Sequence, residues 1–127
     1  MNNEPRARSF SFPRARRLTR PAEFMQVREQ GKAQRGALLT LGVLSLPQET
    51  PFRAGVVTSK RVGGAVVRNR IRRRFRELVR RHQHAVRGGV WLVLVARPAA
   101  ARASYQALED EWLRLAKRAL ILPPSCS

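Results

Sequence analysis

The residues most able to do chemistry lie in one short stretch near the middle of the chain. Between Ala65 and Arg81 there are eight arginines and a single acid, Glu77, so the local charge is +7. Arginine guanidinium groups grip phosphate oxygens with two donors and stack on nucleobases. The amide of Asn69 can meet a base edge, a sugar hydroxyl or a metal-bound water, and it is equally compatible with a structural role. The stretch therefore predicts contact with a polyanion.

A helix must position these arginines, because an apolar stripe runs between them. At 100° per residue, one arc of the helix holds Val67, Ile71, Phe75, Leu78 and Val79, and His82 continues this stripe. When a helix face carries charges of both signs, that face usually contacts solvent alone. Here Arg68, Arg72 and Arg76 follow one another at four-residue spacing and repel. An external phosphate backbone would compensate that repulsion.

The charge of the whole chain agrees with this interpretation. The 127 residues include 26 Lys and Arg against 8 Asp and Glu, giving a net charge of +18 at pH 7. A membrane surface would require an amphipathic helix with a broad apolar face, and no apolar run reaches the roughly 18 residues of a spanning helix. We therefore expect a nucleic-acid partner and no membrane.

Other candidate sites are weaker. His82 and His84 would point about 200° apart on a helix and do not share a metal. The run Glu109-Asp110-Glu111 fans around a helix, where the helix dipole explains it, and does not converge as a nuclease requires. The lone Cys126 excludes a disulfide or cysteine zinc site and fits a cytoplasmic location. No catalytic residue and no protein-bound metal are predicted.

Periodicity and turn residues predict the order α-β-β-α-β-α. We expect a short helix after Pro21, and a hairpin whose strands meet at a turn over residues 47–51. A long helix should follow Gly64, then a strand apolar on both faces, then a helix capped by Ser104. The predicted strands cover residues 37–46, 53–59 and 90–96, and the long helix covers residues 65–87.

These elements predict one α+β domain, a small mixed sheet of three or four strands with helices packed on it. Residues 1–17 carry five arginines and almost no apolar periodicity, so we expect a basic flexible arm. A folded nucleic-acid-binding domain is expected over residues 18–122, followed by a flexible tail over residues 123–127.

The run S-K-R-V-G-G-A-V-V-R-N-R-I-R-R-R-F-R-E over residues 59–77 resembles the Arg-Asn-Arg signature of the protein subunit of bacterial ribonuclease P. Residues 17–31 are similar to the first helix of that family, and residues 93–98 to its last strand and following turn. The likeness covers roughly residues 18–120. It implies a sandwich containing a βαβ unit with a left-handed crossover, against the usual rule.

The resemblance also implies a function. In that family an RNA subunit, with Mg²⁺, hydrolyses the bond between the 5′ leader and mature tRNA, and the protein binds the catalytic RNA and the leader of pre-tRNA. No DNA partner is expected. Phe24 and Arg28 would line the leader cleft. The residues that would contact RNA are Lys60, Arg61, Arg68, Asn69, Arg70, Arg72, Arg73 and Arg76.

The sequence departs from the family at the cleft. Two positions that are often aromatic in the family hold Arg28 and Gly42 here, so the cleft should depend more on charge and less on base stacking. Two other functions fit a small basic chain, a ribosomal protein and an autonomous ribonuclease. The spacing of the Arg-Asn-Arg motif disfavours the first, and the lack of a catalytic constellation disfavours the second.

Overall fold

The computed structural model describes residues 16–121, so the predictions for residues 1–15 and 122–127 lie outside the described residues. Seven regular elements follow one another, and two 3₁₀ turns, Gln83–Ala85 and Pro98–Arg102, connect some of them. The α+β class is confirmed. In chain order the elements are α1 (Pro21–Gln30), β1 (Lys32–Arg35), β2 (Leu39–Ser45), β3 (Arg53–Val57), α2 (Ala65–His82), β4 (Val90–Ala96) and α3 (Tyr105–Arg118).

The four strands form one mixed sheet in the order β1-β2-β4-β3. β2 pairs antiparallel with β1 and with β4, whereas β3 runs parallel to β4 and is joined to it through α2. The predicted hairpin between residues 37–46 and 53–59 is therefore wrong. β4 separates the two strands, because this strand is apolar on both faces and takes the interior position.

β1 was not predicted, because its sequence Lys-Ala-Gln-Arg is almost wholly exposed and shows no apolar alternation. It is an edge strand that pairs with β2 alone. Its position therefore depends on backbone pairing with β2 rather than on side chains of its own.

α2 and α3 cover one face of the sheet. The predicted stripe of α2 is confirmed at Ile71, Phe75 and Leu78, all fully buried. Val67 and His82 are only partly buried, and α2 ends at His82 rather than at residue 87, because the chain tightens into a 3₁₀ turn. The facing core residues from α3 and the sheet include Leu108, Trp112, Leu115, Leu39, Leu41, Leu92 and Leu94.

α1 covers the other face by resting on two glycines. Gly42 of β2 and Gly55 of β3 both pair with Val93 of β4. A Cβ atom on Gly42 would lie 3.3 Å from Cγ1 of Val27, and one on Gly55 would lie 2.5 Å from Cε1 of Phe24. The missing side chains therefore let α1 pack closely against the sheet.

An ion pair fixes the start of α1 to β3. Nη1 of Arg53 lies 2.6 Å from Oε2 of Glu23, and Nη2 donates to the carbonyl oxygen of Arg17 at 2.8 Å. The other oxygen of Glu23 accepts hydrogen bonds from the backbone N–H groups of Thr19 and Arg20, each 3.0 Å. Burial alone would raise the pKa of Glu23, but these hydrogen bonds and Arg53 outweigh it and lower the pKa below its ordinary value.

Glu111 forms a second contact between elements, and the sequence did not reveal it. Its carboxylate is 4% exposed and accepts hydrogen bonds from the N–H groups of Ala37, Leu38 and Leu39 at 3.2, 2.7 and 2.8 Å. The helix-dipole interpretation is wrong for this residue, because α3 begins at Tyr105 and Glu111 lies beyond its first turn. Glu111 instead ties α3 to the start of β2.

We predict that Glu23→Gln lowers the free energy of unfolding by about 1 kcal/mol at pH 7. Because the pKa of Glu23 is lowered on folding, its ionic contribution exists above the unfolded-state pKa and is lost as pH falls through the folded value. The difference between the variant and the parent should therefore shrink below about pH 4. Urea unfolding across this pH range measures it, with Glu29→Gln on the same helix as the control. A difference that does not change with pH would contradict the assignment.

We also predict that Glu111→Gln lowers the free energy of unfolding by about 2–4 kcal/mol, because an amide offers only one acceptor and leaves buried N–H groups unpaired. The matched control is Asp110→Asn, an exposed neighbour on the same helix, expected to change stability by at most about 0.5 kcal/mol. Both are measured by urea unfolding followed by circular dichroism. Equal losses for the two variants would refute the role of Glu111.

Candidate nucleic-acid interface

Five of the eight arginines of α2 form two rows along the helix. Arg68, Arg72 and Arg76 form the row at four-residue spacing that was predicted from the sequence. Partial burial lowers the pKa of Arg76, and the nearby charges of Arg17 and then Arg72 lower it further. Packing of the opposite side of α2 therefore holds like charges together, and an anion placed among them would relieve their repulsion.

Arg17 was predicted to lie in the flexible arm, yet it contacts the folded domain. It forms a parallel β-bridge with Ala54 of β3, and its carbonyl oxygen accepts from Arg53. The next residue, Leu18, is buried and donates its N–H to the carbonyl oxygen of Ala54 at 2.8 Å. In the sequence, this short extended segment is marked by an apolar residue, Leu18, directly after the basic residues of the arm. Together with Arg76, the segment lines a groove of about 240 Å³.

The second row, Arg70 and Arg74, forms hydrogen bonds within the protein. Arg70 donates to the carbonyl oxygen of Ala101 at 3.0 Å, and Arg74 to that of Ala103 at 2.8 Å. These bonds pin the turn Pro98–Arg102 and the residue after it to α2. Arg70 was predicted to contact RNA, and the structure gives one of its N–H groups an internal acceptor. Arg74, which was not among the predicted RNA contacts, forms the same kind of internal hydrogen bond.

The remaining motif residues are open to solvent. Lys60 and Arg61 lie exposed in the loop between β3 and α2, and Arg73 is exposed on the helix. Gly63 in this loop has a φ of 154°, which a side chain would disfavour, so the sharp entry into α2 depends on glycine. Asn69 is also exposed, and its Oδ1 accepts from Nη1 of Arg72 at 3.0 Å. It orients an arginine and leaves its own amide donors available.

The predicted cleft residues lie on the opposite face of the sheet from α2. Phe24 is half-buried on α1 over Gly55, and Arg28 is exposed one turn later. Beyond α1, the half-buried residues Thr40, Val95 and Val57 lie side by side across three strands. They share the sheet face of Val93, because side chains alternate along a strand. We call this surface the groove beside α1: its floor is mainly aliphatic, Phe24 lies at one side, and Arg28 is exposed one turn further along the helix.

His82, at the end of α2, is engaged by an acid and an aromatic ring of α3. Nε2 of His82 lies 2.8 Å from Oε2 of Glu109, and the imidazole ring stacks on Trp112 at 5.1 Å between centroids. Among residues 16–121, no three His, Cys, Asp or Glu side chains group closely enough to hold a metal ion. Within the same residues, no helix is long and apolar enough to cross a membrane.

Comparison with known proteins agrees with this geometry. The chain is 40% identical over 111 residues to the ribonuclease P protein component of Chloroflexus aurantiacus, covering 87% of this chain and 82% of the relative. It is 34% identical over 109 residues to that of Brevibacillus brevis, covering 86% of each chain. The fold is similar to that of the RNase P protein of Staphylococcus aureus, with a TM-score of 0.79, 23% identity, and coverage of 87% and 100% of the two chains.

A family model described as Ribonuclease P matches residues 12–120, nearly the whole of the chain. That span includes both rows of arginines on α2, the loop that precedes them and the groove beside Phe24. The chain therefore belongs to the ribonuclease P protein family.

Proposed function

We propose that this protein binds the RNA subunit of ribonuclease P through α2 and the preceding loop, and the 5′ leader of pre-tRNA through the groove beside α1. Catalysis in this enzyme is carried by the RNA. The observation that carries the proposal is the row Arg68, Arg72 and Arg76, held beside Arg17 by a packed helix. Such a row offers guanidinium groups at fixed positions, so little side-chain entropy is lost on meeting phosphates.

The groove beside α1 supports the second part of the proposal. Its floor is formed by the half-buried Thr40, Val57 and Val95, which offer mainly apolar surface to the unstacked bases of a single strand. Phe24 offers an aromatic surface for one base, and Arg28 offers a charge for the backbone. The groove should therefore hold a leader with little preference for base identity.

Mg²⁺ enters this proposal as a partner of the RNA. RNA phosphates would supply donors for Mg²⁺. The cations of the protein act on the same phosphates and supply part of the neutralisation that metal otherwise provides. The site of action would be the cytoplasm, where tRNA precursors are processed.

We predict that replacing Arg68, Arg72 and Arg76 with Gln weakens assembly with the RNA subunit by several kcal/mol, at ~1–3 kcal/mol for each charge-assisted contact. Thermal stability should stay equal or rise slightly, because repulsion is relieved and Gln keeps helix propensity. The matched control replaces Arg20, Arg35 and Arg102, which are exposed and lie off α2. Filter binding and thermal unfolding measure the two effects.

A deletion variant separates the helix from the arm. Removing residues 2–15 keeps the contacts of Arg16 and Arg17 with the domain, and it should weaken assembly less than the triple substitution does. Because the composition of residues 1–15 predicts a flexible arm, ordering it on binding would cost entropy and reduce its gain. A greater loss from the deletion would make the arm the main RNA contact and refute the assignment of α2.

We predict that the protein lowers the Mg²⁺ concentration needed by the RNA subunit and improves binding of pre-tRNA more than of mature tRNA. Leaders of zero and about ten nucleotides compare the two directly, since only the longer one reaches the groove. Arg28→Gln should reduce the leader-dependent gain, whereas Arg35→Gln should not. Equal gains for both leader lengths would contradict a leader-binding groove. Cleavage of pre-tRNA by the purified protein free of RNA would contradict the proposed division of labour.

A further inference from the structure

A second basic pocket lies at a corner of the molecule that none of the motif residues reaches. It has a volume of about 400 Å³ and forms where α1 ends, β1 begins, β2 ends and α3 ends. No residue of α2 lines it. Arg68 and His82 are about 21 Å apart along the axis of α2 at 1.5 Å per residue, and the pocket lies beyond the His82 end, next to Arg87.

Three cations line this pocket, Lys32, Arg87 and Arg118, and none of its described lining residues is acidic. Arg87 has an internal task, because its Nε donates to the carbonyl oxygen of Leu120 at 3.1 Å and its Nη2 to Oγ of Ser45 at 2.8 Å. These bonds fix its guanidinium between the sheet and α3. Lys32 and Arg118 are exposed and donate to no described acceptor. Their charges are free to meet an anion.

An exposed leucine stands at the rim of the same pocket. Leu120 is 72% exposed and has a φ of 65°, a backbone conformation that favours glycine. Its N–H donates to the carbonyl oxygen of Lys117, and that of Ile121 to Ala116, which is the glycine-type ending of a helix. The chain thus keeps an apolar side chain in solvent at a position where glycine would fold more easily. Such a departure points to contact with a partner.

The remaining lining residues complete an amphipathic pocket. Gln30 and Gln34 carry amides that both donate and accept, and Leu44 adds apolar surface. Cations, amides and an apolar rim are the groups that recognise a phosphate, a base edge and a base face. We propose that this pocket binds one unstacked nucleotide of an RNA strand, with the phosphate at Lys32 and Arg118 and the base against Leu120. This inference rests on the proposed function in one respect: it takes RNA as the class of ligand.

The test uses the full chain and a decauridine RNA containing one 4-thiouridine as the probe. Ultraviolet crosslinking and peptide mapping should find crosslinks at residues 30–34 and 118–121 in addition to those on α2. In Lys32→Gln/Arg118→Gln the slope of log affinity against log salt should become shallower by about 0.7, the value for one phosphate contact with a single strand. The control Arg35→Gln/Arg102→Gln has the same charge change outside the pocket, and it should keep the parent slope and the crosslinks at the pocket.

Leu120→Gly distinguishes binding from folding. Glycine relieves the backbone strain, so the melting temperature should rise, whereas crosslinking at residues 118–121 should fall. The Arg68, Arg72 and Arg76 triple variant should lose assembly with the RNA subunit and keep these crosslinks. If crosslinks appear on α2 alone and the pocket variants behave like the control, the inference is overturned and the proposed function stands. If the parent binds no RNA, the proposed function fails as well.

Discussion

The burial of β4 on both faces is the constraint on which the rest of the structure depends. A strand that is apolar on both sides has to lie inside the sheet and requires a layer above and a layer below. α2 and α3 supply one layer, and α1, which packs on Gly42 and Gly55, supplies the other. Each layer carries a surface with a different task. The arginine rows lie on the α2 side, and the groove with Phe24 lies on the α1 side.

Three acids among the described residues join different elements of the fold. Glu23 holds α1 to β3, Glu111 holds α3 to the start of β2, and Glu109 pairs with His82. Each satisfies donors that packing would otherwise leave unpaired. The one acid on α2, Glu77, pairs with Arg80, which belongs to neither arginine row. A high net charge opposes folding through repulsion, and these contacts offset part of that repulsion where elements meet.

Some of this could be predicted from sequence. The apolar stripe through Ile71, Phe75 and Leu78 and the motif around Asn69 depend on local spacing, which a sequence displays directly. The pairing of β4 between β2 and β3 depends on which strands can be covered on both faces, a property of the whole chain. The task of Glu111 involves backbone groups more than seventy residues away. The internal bond of Arg70 depends likewise on a distant turn, near Ala101.

The two glycines under α1 have a consequence for the surface beside that helix. Gly42 and Gly55 lie beneath α1, where added Cβ atoms would come within 3.3 Å of Val27 and 2.5 Å of Phe24. A methyl group at residue 55 would therefore displace the ring of Phe24, which forms one side of the groove beside α1. The position of that ring is set from below by a residue without a side chain, as well as by the helix that bears it.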